Sequence, residues 1–253
     1  MAQNSLSVSQ SFKTRLNTMF KADSRRMITS APFYIWCGIA LVMPILILVM
    51  TTMAGGEGMA FTNAWQIIAS SGGMAMDMTA MVNINLVYIM AGIFLSVFIS
   101  EDFRSGYVKN LFTVRARKSD YVASKTIIGI IAGTAMLLAF FVGTLFGGSF
   151  AGLSFEIGTA NVGNLLMCML AKICLTAVFT PIFTAASVFA KDKSWLAICL
   201  SLMLFMLMFM IIPMMTPLNA TIMNVILCLA GGAMFCFGCG FVSNLLLGKR
   251  DLV

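Results

Sequence analysis

A chain of 253 residues that is 60% hydrophobic and 10% charged, with a mean hydropathy of +0.98, departs from the balance of a soluble domain and reads as an integral membrane protein. The net charge of +7 gathers beside apolar runs, as a collar facing a membrane surface would, and gives no sign of nucleic-acid binding. With no histidine in the chain, paired His/Cys metal ligands and a nucleophile with a histidine base are both excluded.

The first 31 residues are polar and basic, so no cleavable leader is expected and the first apolar run must target the chain. Within "SFKTRLNTMFKADSRRMI", Phe12, Leu16, Met19, Phe20 and Met27 recur at spacings near three and four, while Lys13, Lys21, Arg25 and Arg26 fall mostly elsewhere. That pattern predicts an amphipathic helix lying at the membrane surface; a basic flank that only sets topology would explain the charges but not the stripe.

Six runs are long enough to cross a hydrocarbon core: about 33–54, 82–100, 126–148, 162–190 (with the span itself over about 165–190), 195–215 and 222–248. Their continuous rather than alternating character predicts helices and not a barrel. Fifteen of the sixteen Lys and Arg residues lie at the two chain ends, in 101–125 and at Lys191 and Lys193, which are alternate connections. The other connections, 55–81, 149–161 and 216–221, hold only acidic charge. The expected fold is therefore an all-α integral membrane protein, a single transmembrane domain over 1–253 with six transmembrane helices and both termini cytoplasmic.

In the connection over 55–81, glycines flank "NAWQIIAS", which predicts a short helix capped at Thr62 or Asn63 and hinged by Gly55, Gly56, Gly72 and Gly73. Met74, Met76, Met78 and Met81 raise a Cu(I) question, since thioethers are soft ligands. In a chain of 23 methionines such a run arises by chance, and no metal site is expected.

Between the second and third runs, "EDFRSGYVKNLFTVRARKSDYVASK" carries six basic residues. Phe103, Tyr107, Val108, Leu111 and Phe112 share one helical face, with Arg104, Ser105 and Lys109 off it, so a short amphipathic helix over about 102–114 is expected. Lipid headgroups or a protein groove could cover its apolar face. Ser119 or Asp120 can then cap the next helix, and Lys125 is expected to snorkel outward at its inner end.

Lys172 stands inside an apolar run, which makes it a functional candidate. The run has length to spare, however, and the favoured expectation is that Lys172 snorkels to the outer surface. Pro213 and Pro217 predict an irregular outer connection. The seven cysteines read as small buried hydrophobes. Asn83, Asn85, Thr134, Thr176, Thr180, Asn224 and Asn244 could line a path or form interhelical hydrogen bonds.

Glu101 with "RSGYVKNLF", Arg117 and "YVASK" resembles the Glu, Arg-Ser-Gly-Thr, Lys-Asn-Leu, Arg, Tyr, Lys pattern of the six-helix permeases of type-2 ATP-binding-cassette (ABC) exporters. "LNTMFKADSRRMITSAPFYI" is similar to their amphipathic N-terminal helix, and "GKRDLV" to their usual ending. Tyr107 replaces the frequent Thr or Ser, Asp23 the usual Glu, and no proline precedes Arg117.

The resemblance implies a transport subunit that is no enzyme, in the bacterial plasma membrane. It pairs with a second membrane subunit, either the same chain or a sister, and two cytosolic ATPase subunits dock beneath and bind the ATP and Mg. It makes 102–114 a coupling helix seated on the ATPase, with Phe103, Arg104, Tyr107, Val108, Lys109, Leu111, Phe112, Arg115 and Arg117 at the contact. No cofactor is expected in this chain. Asn83, Asn85, Lys172, Thr176, Thr180 and Asn224 are candidates for the cargo path. Spans poor in charge suit an amphipathic or hydrophobic cargo, with peptide ahead of drug or lipid-like efflux. A non-transporting membrane scaffold or sensor and a self-contained channel are the alternatives from other classes.

Overall fold

A backbone surrounded by hydrocarbon satisfies its polar groups only in helices or closed barrels, and the apolar runs of this chain form helices. The structure, a computed structural model, describes residues 12–53, 61, 63–68, 83–113, 117–156, 162–209 and 211–248. In chain order these form α1 (Phe12–Thr29), α2 (Ala31–Met53), a 3-10 helix (Ala64–Ile67), α3 (Leu86–Arg104), α4 (Tyr107–Thr113) and α5 (Lys118–Ala151). There follow α6 (Val162–Ala190), α7 (Ser194–Met208), α8 (Ile211–Met215) and α9 (Ile222–Gly248). Among the described residues there is no strand, only an isolated bridge between Asn63 and Ser154.

Five of these helices, α2, α3, α5, α6 and α9, are long and apolar enough to cross a membrane. The run expected as a span over 195–215 is divided into α7, of 15 residues, and α8, of five. Pro213 accounts for the break: it has no N–H for the Phe209 carbonyl, which instead accepts from the Ile212 N–H at 3.2 Å. α5 begins at Lys118 rather than near 126 and has 34 residues. At about 1.5 Å per residue it is about 50 Å long, against about 30 Å of hydrocarbon, so it is longer than one crossing needs.

α6 is central and packs on α3, α5, α7 and α9. Tyr88, Phe179 and Phe205 form an aromatic knot between α3, α6 and α7, with ring centroids 5.0 to 6.4 Å apart. A hydroxyl chain joins the same helices: Ser96 and Ser201 are 3.0 Å apart, and Ser187 donates to Ser96 at 3.3 Å. Inside α6, Pro181 gives no N–H to the Ala177 carbonyl, and the Cys236 thiol of α9 donates to it at 3.5 Å. α2 lies so close to α5 that a Cβ at Gly143 would sit 2.1 Å from the Leu41 carbonyl oxygen. α2 and α9 turn Leu46, Met50, Phe237 and Phe241 outward, where hydrocarbon rather than water suits them.

At the end away from α1, the expected cap is found: Asn63 accepts the Trp65 N–H at 2.8 Å and starts the 3-10 helix. Trp65 donates its indole N–H to the Phe155 carbonyl at 2.9 Å, and Ala64 its N–H to Ser154 at 3.1 Å. Asn63 also donates to the Glu156 carbonyl. Gly55, Gly56, Gly72, Gly73 and the Met74, Met76, Met78 and Met81 run lie outside the described residues.

Candidate functional site

Met19, Asp23 and Met27 follow one another at intervals of four along the inner stripe of α1, only 7%, 0% and 3% exposed. A carboxylate in such a stripe is costly unless it is paired and hydrogen-bonded. The extended start of α5 supplies both partners: Lys125 Nζ lies 2.8 Å from Asp23 Oδ1, and Ser124 Oγ donates to Asp23 Oδ2 at 2.7 Å. Lys125 also reaches Asp102 Oδ2 on α3 at 2.6 Å, and the Tyr121 hydroxyl donates to that same oxygen at 3.2 Å. Arg26 Nη1 completes the cluster, 2.7 Å from Asp102 Oδ1 and 3.8 Å from Asp23 Oδ1.

Two cations and two anions thus join α1, α3 and α5 in a neutral cluster, of which Asp23, Asp102 and Lys125 are buried and Arg26 is part-exposed. Aromatic faces close it: Lys125 Nζ is 4.4 Å from the Phe98 ring centroid, and Arg26 Cζ is 4.5 Å from that of Tyr107. A second pair lies further along α1, where Arg15 Nε meets Asp120 Oδ2 at 2.9 Å. Burial works against the Arg26 charge, but Asp102 and then Asp23 override it and hold the guanidinium above its usual value. The Tyr107 phenol is pushed up by burial first, then by the carboxylates of Asp23 and Asp102, against the opposing pull of Arg26.

The expected outward snorkelling of Lys125 is therefore corrected: its side chain is fully enclosed, because α1 lies across the route to water. Asp120, expected as a possible cap, is buried in the first turn of α5 and paired with Arg15.

The expected helix over 102–114 is broken in two. α3 runs on through Arg104, and Gly106, at φ +73°, allows the turn into α4. Val108 is buried, and Leu111 and Phe112 pack on a cluster that includes Met19, Tyr121, Val188 and Leu247. The Phe112 and Phe103 rings meet Tyr121 edge-on at 6.0 and 6.4 Å. Much of the apolar face that periodicity offered to lipid or a partner is thus covered by the chain itself. Arg104, Lys109 and Arg117 remain exposed, so the solvent side of this end is basic; Arg115 lies outside the described residues. Lys118 donates to the Leu247 carbonyl at 2.7 Å and ties the last turn of α9 to the same end.

Lys172 is also corrected, for it is 2% exposed and donates to Thr216 Oγ1 at 2.9 Å rather than reaching the surface. No carboxylate lies within ion-pair distance of it among the described residues. Asn83 and Asn85 are buried just before α3, the Asn83 side chain accepting the Asn85 N–H at 2.9 Å. Thr176 and Thr180 donate to carbonyls of their own helix, those of Ile173 and Thr176. Asn224, half-buried, accepts from Thr221 and donates to the Met215 carbonyl, bracing the connection between α8 and α9.

The charge cluster was only partly visible beforehand. Asp23 sits midway between Met19 and Met27 on one stripe, a legible anomaly; its partners Ser124 and Lys125, 101 and 102 residues away on another helix, carry no such mark.

A family model described as ABC-2 family transporter protein matches residues 29–208. Searches of curated proteins and of solved structures return no match.

Proposed function

The chain belongs to the ABC-2 transporter family, and from that premise we propose how it sits in its membrane, what it docks with and what it moves. As a membrane permease of that family it is the transport component of an ABC transporter, partnered by an ABC ATPase, and not itself the catalyst.

In the proposed reading α7 and α8 together complete a sixth crossing. Both termini, α1 and α4 then face the bacterial cytoplasm, a reading supported by the basic residues gathered at that end. Two ATPase subunits, which bind ATP and Mg, dock beneath this chain and a second membrane subunit that is either a copy or a sister. ATP-driven approach of the ATPases shifts α4 between two arrangements and so works on the spans. The cargo is amphipathic or hydrophobic, a peptide first, because the spans carry little charge.

One observation carries the docking proposal. Tyr121 packs its ring against Phe112 of α4 and donates its hydroxyl to Asp102 of α3, so a push on α4 meets the ion cluster that joins α1, α3 and α5. The contact made to the ATPase is then chiefly the exposed basic rim, Arg104, Lys109 and Arg117, with the outward edges of Leu111 and Phe112.

Reversing that rim with Arg104→Glu, Lys109→Glu and Arg117→Glu is the direct test, since these side chains are exposed and their loss leaves the core intact. The expected outcome is loss of co-purification with the candidate cassette ATPase when the two are co-expressed, at an unchanged unfolding temperature. A complex that survives with its transport-linked ATPase activity overturns the assignment.

A further inference from the structure

Between α1, α2 and α3, beside the charge cluster, lies a groove of about 390 Å³ that the transport reading does not use. Trp36 of α2 and Phe94, Val97 and Phe98 of α3 form its apolar wall, and Arg26 and Glu101 stand at its mouth. Phe94, Val97, Phe98 and Glu101 lie on one stripe of α3 across two turns, so the groove runs about 10 Å from the charged mouth along the span. Val97 is 40% exposed, which makes the wall continuous with the outer, lipid-facing surface.

The two charges at the mouth are not equivalent. Arg26 is held by Asp102 and Asp23 and lies over the Tyr107 and Phe98 rings, yet its side chain remains 36% exposed. Glu101 is exposed, and among the described residues its carboxylate has neither an ion pair nor a hydrogen bond, Arg104 one turn on included. Since the cluster behind is neutral, the unpaired charge among the groove's own lining residues is that of Glu101.

A ligand matching this pattern has an ammonium group, a phosphate beside it and an apolar chain below. We propose that the groove binds an ethanolamine phospholipid of the adjacent leaflet. Its ammonium meets Glu101, its phosphate meets the exposed part of the Arg26 side chain, and one acyl chain lies along Trp36, Phe94, Val97 and Phe98. An anionic lipid without the amine gains the Arg26 contact but faces repulsion from Glu101. The proposal needs only the membrane setting and stands apart from the docking of an ATPase.

Trp36 provides the readout. The purified full chain is placed in phosphatidylcholine vesicles containing equal fractions of acyl-brominated phosphatidylethanolamine or phosphatidylglycerol, and the quenching of tryptophan emission is compared. Trp36→Phe is used to subtract the signal of Trp65 and Trp195. Phosphatidylethanolamine is expected to bind about threefold more tightly, the scale of one charged contact near a surface. Glu101→Gln should remove the preference and Glu101→Arg reverse it, both at an unchanged unfolding temperature.

Equal quenching by the two headgroups overturns the proposal, as does a preference that survives Glu101→Gln or Trp36→Phe. If Trp36 responds instead to a soluble cationic peptide and to neither headgroup, the groove belongs to cargo and the lipid assignment is wrong.

Discussion

Among the described residues two lysines are enclosed, one at each end of the bundle, and they are held in opposite ways. Lys125 touches two carboxylates and lies over aromatic faces, while Lys172 has one hydroxyl, that of Thr216. The end around Lys125 is ordered by charge shared between three helices; the end around Lys172 is ordered by backbone hydrogen bonds and caps, such as those of Asn63 and Asn224. A buried charge fixes the relative position of helices only where its partners come from several of them. Where it has one neutral partner it is chiefly a desolvation cost.

The largest expected effect follows from breaking the balanced cluster. Lys125→Met leaves Asp23 and Asp102 buried with Arg26 alone between them and should cost about 3–5 kcal/mol, read as a lowered unfolding temperature in detergent. Replacing Asp102 by Asn in the same chain should restore part of that loss, because it removes one orphaned charge. A loss no larger in Lys125→Met than at an exposed lysine would erase the contrast between the two ends.

At the opposite end Asn63→Ala removes a single cap and should cost about 1 kcal/mol in the same measurement. Lys172→Met is expected to be neutral or stabilising by about 1 kcal/mol, since it discards a buried cation with no carboxylate partner among the described residues. A marked destabilisation there would mean that Lys172 has a charged partner after all, and the two ends would be built alike.

The smallest effect is a pH dependence at the charged end. The raised Tyr107 phenol stays neutral in the folded chain, so its contribution to stability is complete below its ordinary value near 10 and is lost as pH climbs through the raised folded value. In Tyr107→Phe the alkaline decline should be shallower than in the parent, with no difference at neutral pH.

Much of the fold was legible because hydrocarbon permits so few solutions. The apolar runs over 33–54 and 222–248 correspond closely to α2 and α9, and the cap at Asn63 followed from its place before "AWQI". The single helix expected over 102–114 was not found, because Gly106 lies between its halves and takes a left-handed turn that an apolar period does not reveal. In the 195–215 run irregularity was expected at the Pro213 end, but the break falls about four residues earlier, because proline there removes the bond that would have joined α7 to α8. At the candidate site, the exposure of Arg104 and Lys109 was recoverable from their positions off the apolar stripe. The inward packing of Leu111 and Phe112 was not, because nothing in a local period says whether an apolar face meets lipid, a partner or its own chain.

By itself, then, the amino-acid order determined that this protein lies in a membrane as a bundle of helices, with its basic residues at alternate connections and an amphipathic helix leading in. Those properties depend on composition and on spacing along one chain segment. Only the tertiary structure decided that Asp23, Arg26, Asp102 and Lys125 meet, that Lys172 faces inward, and that the charged stretch 101–125 splits into a buried ionic half and an exposed basic rim. Pairing across about a hundred residues costs no local signal and leaves none; it is set by which helix faces come together when the bundle closes.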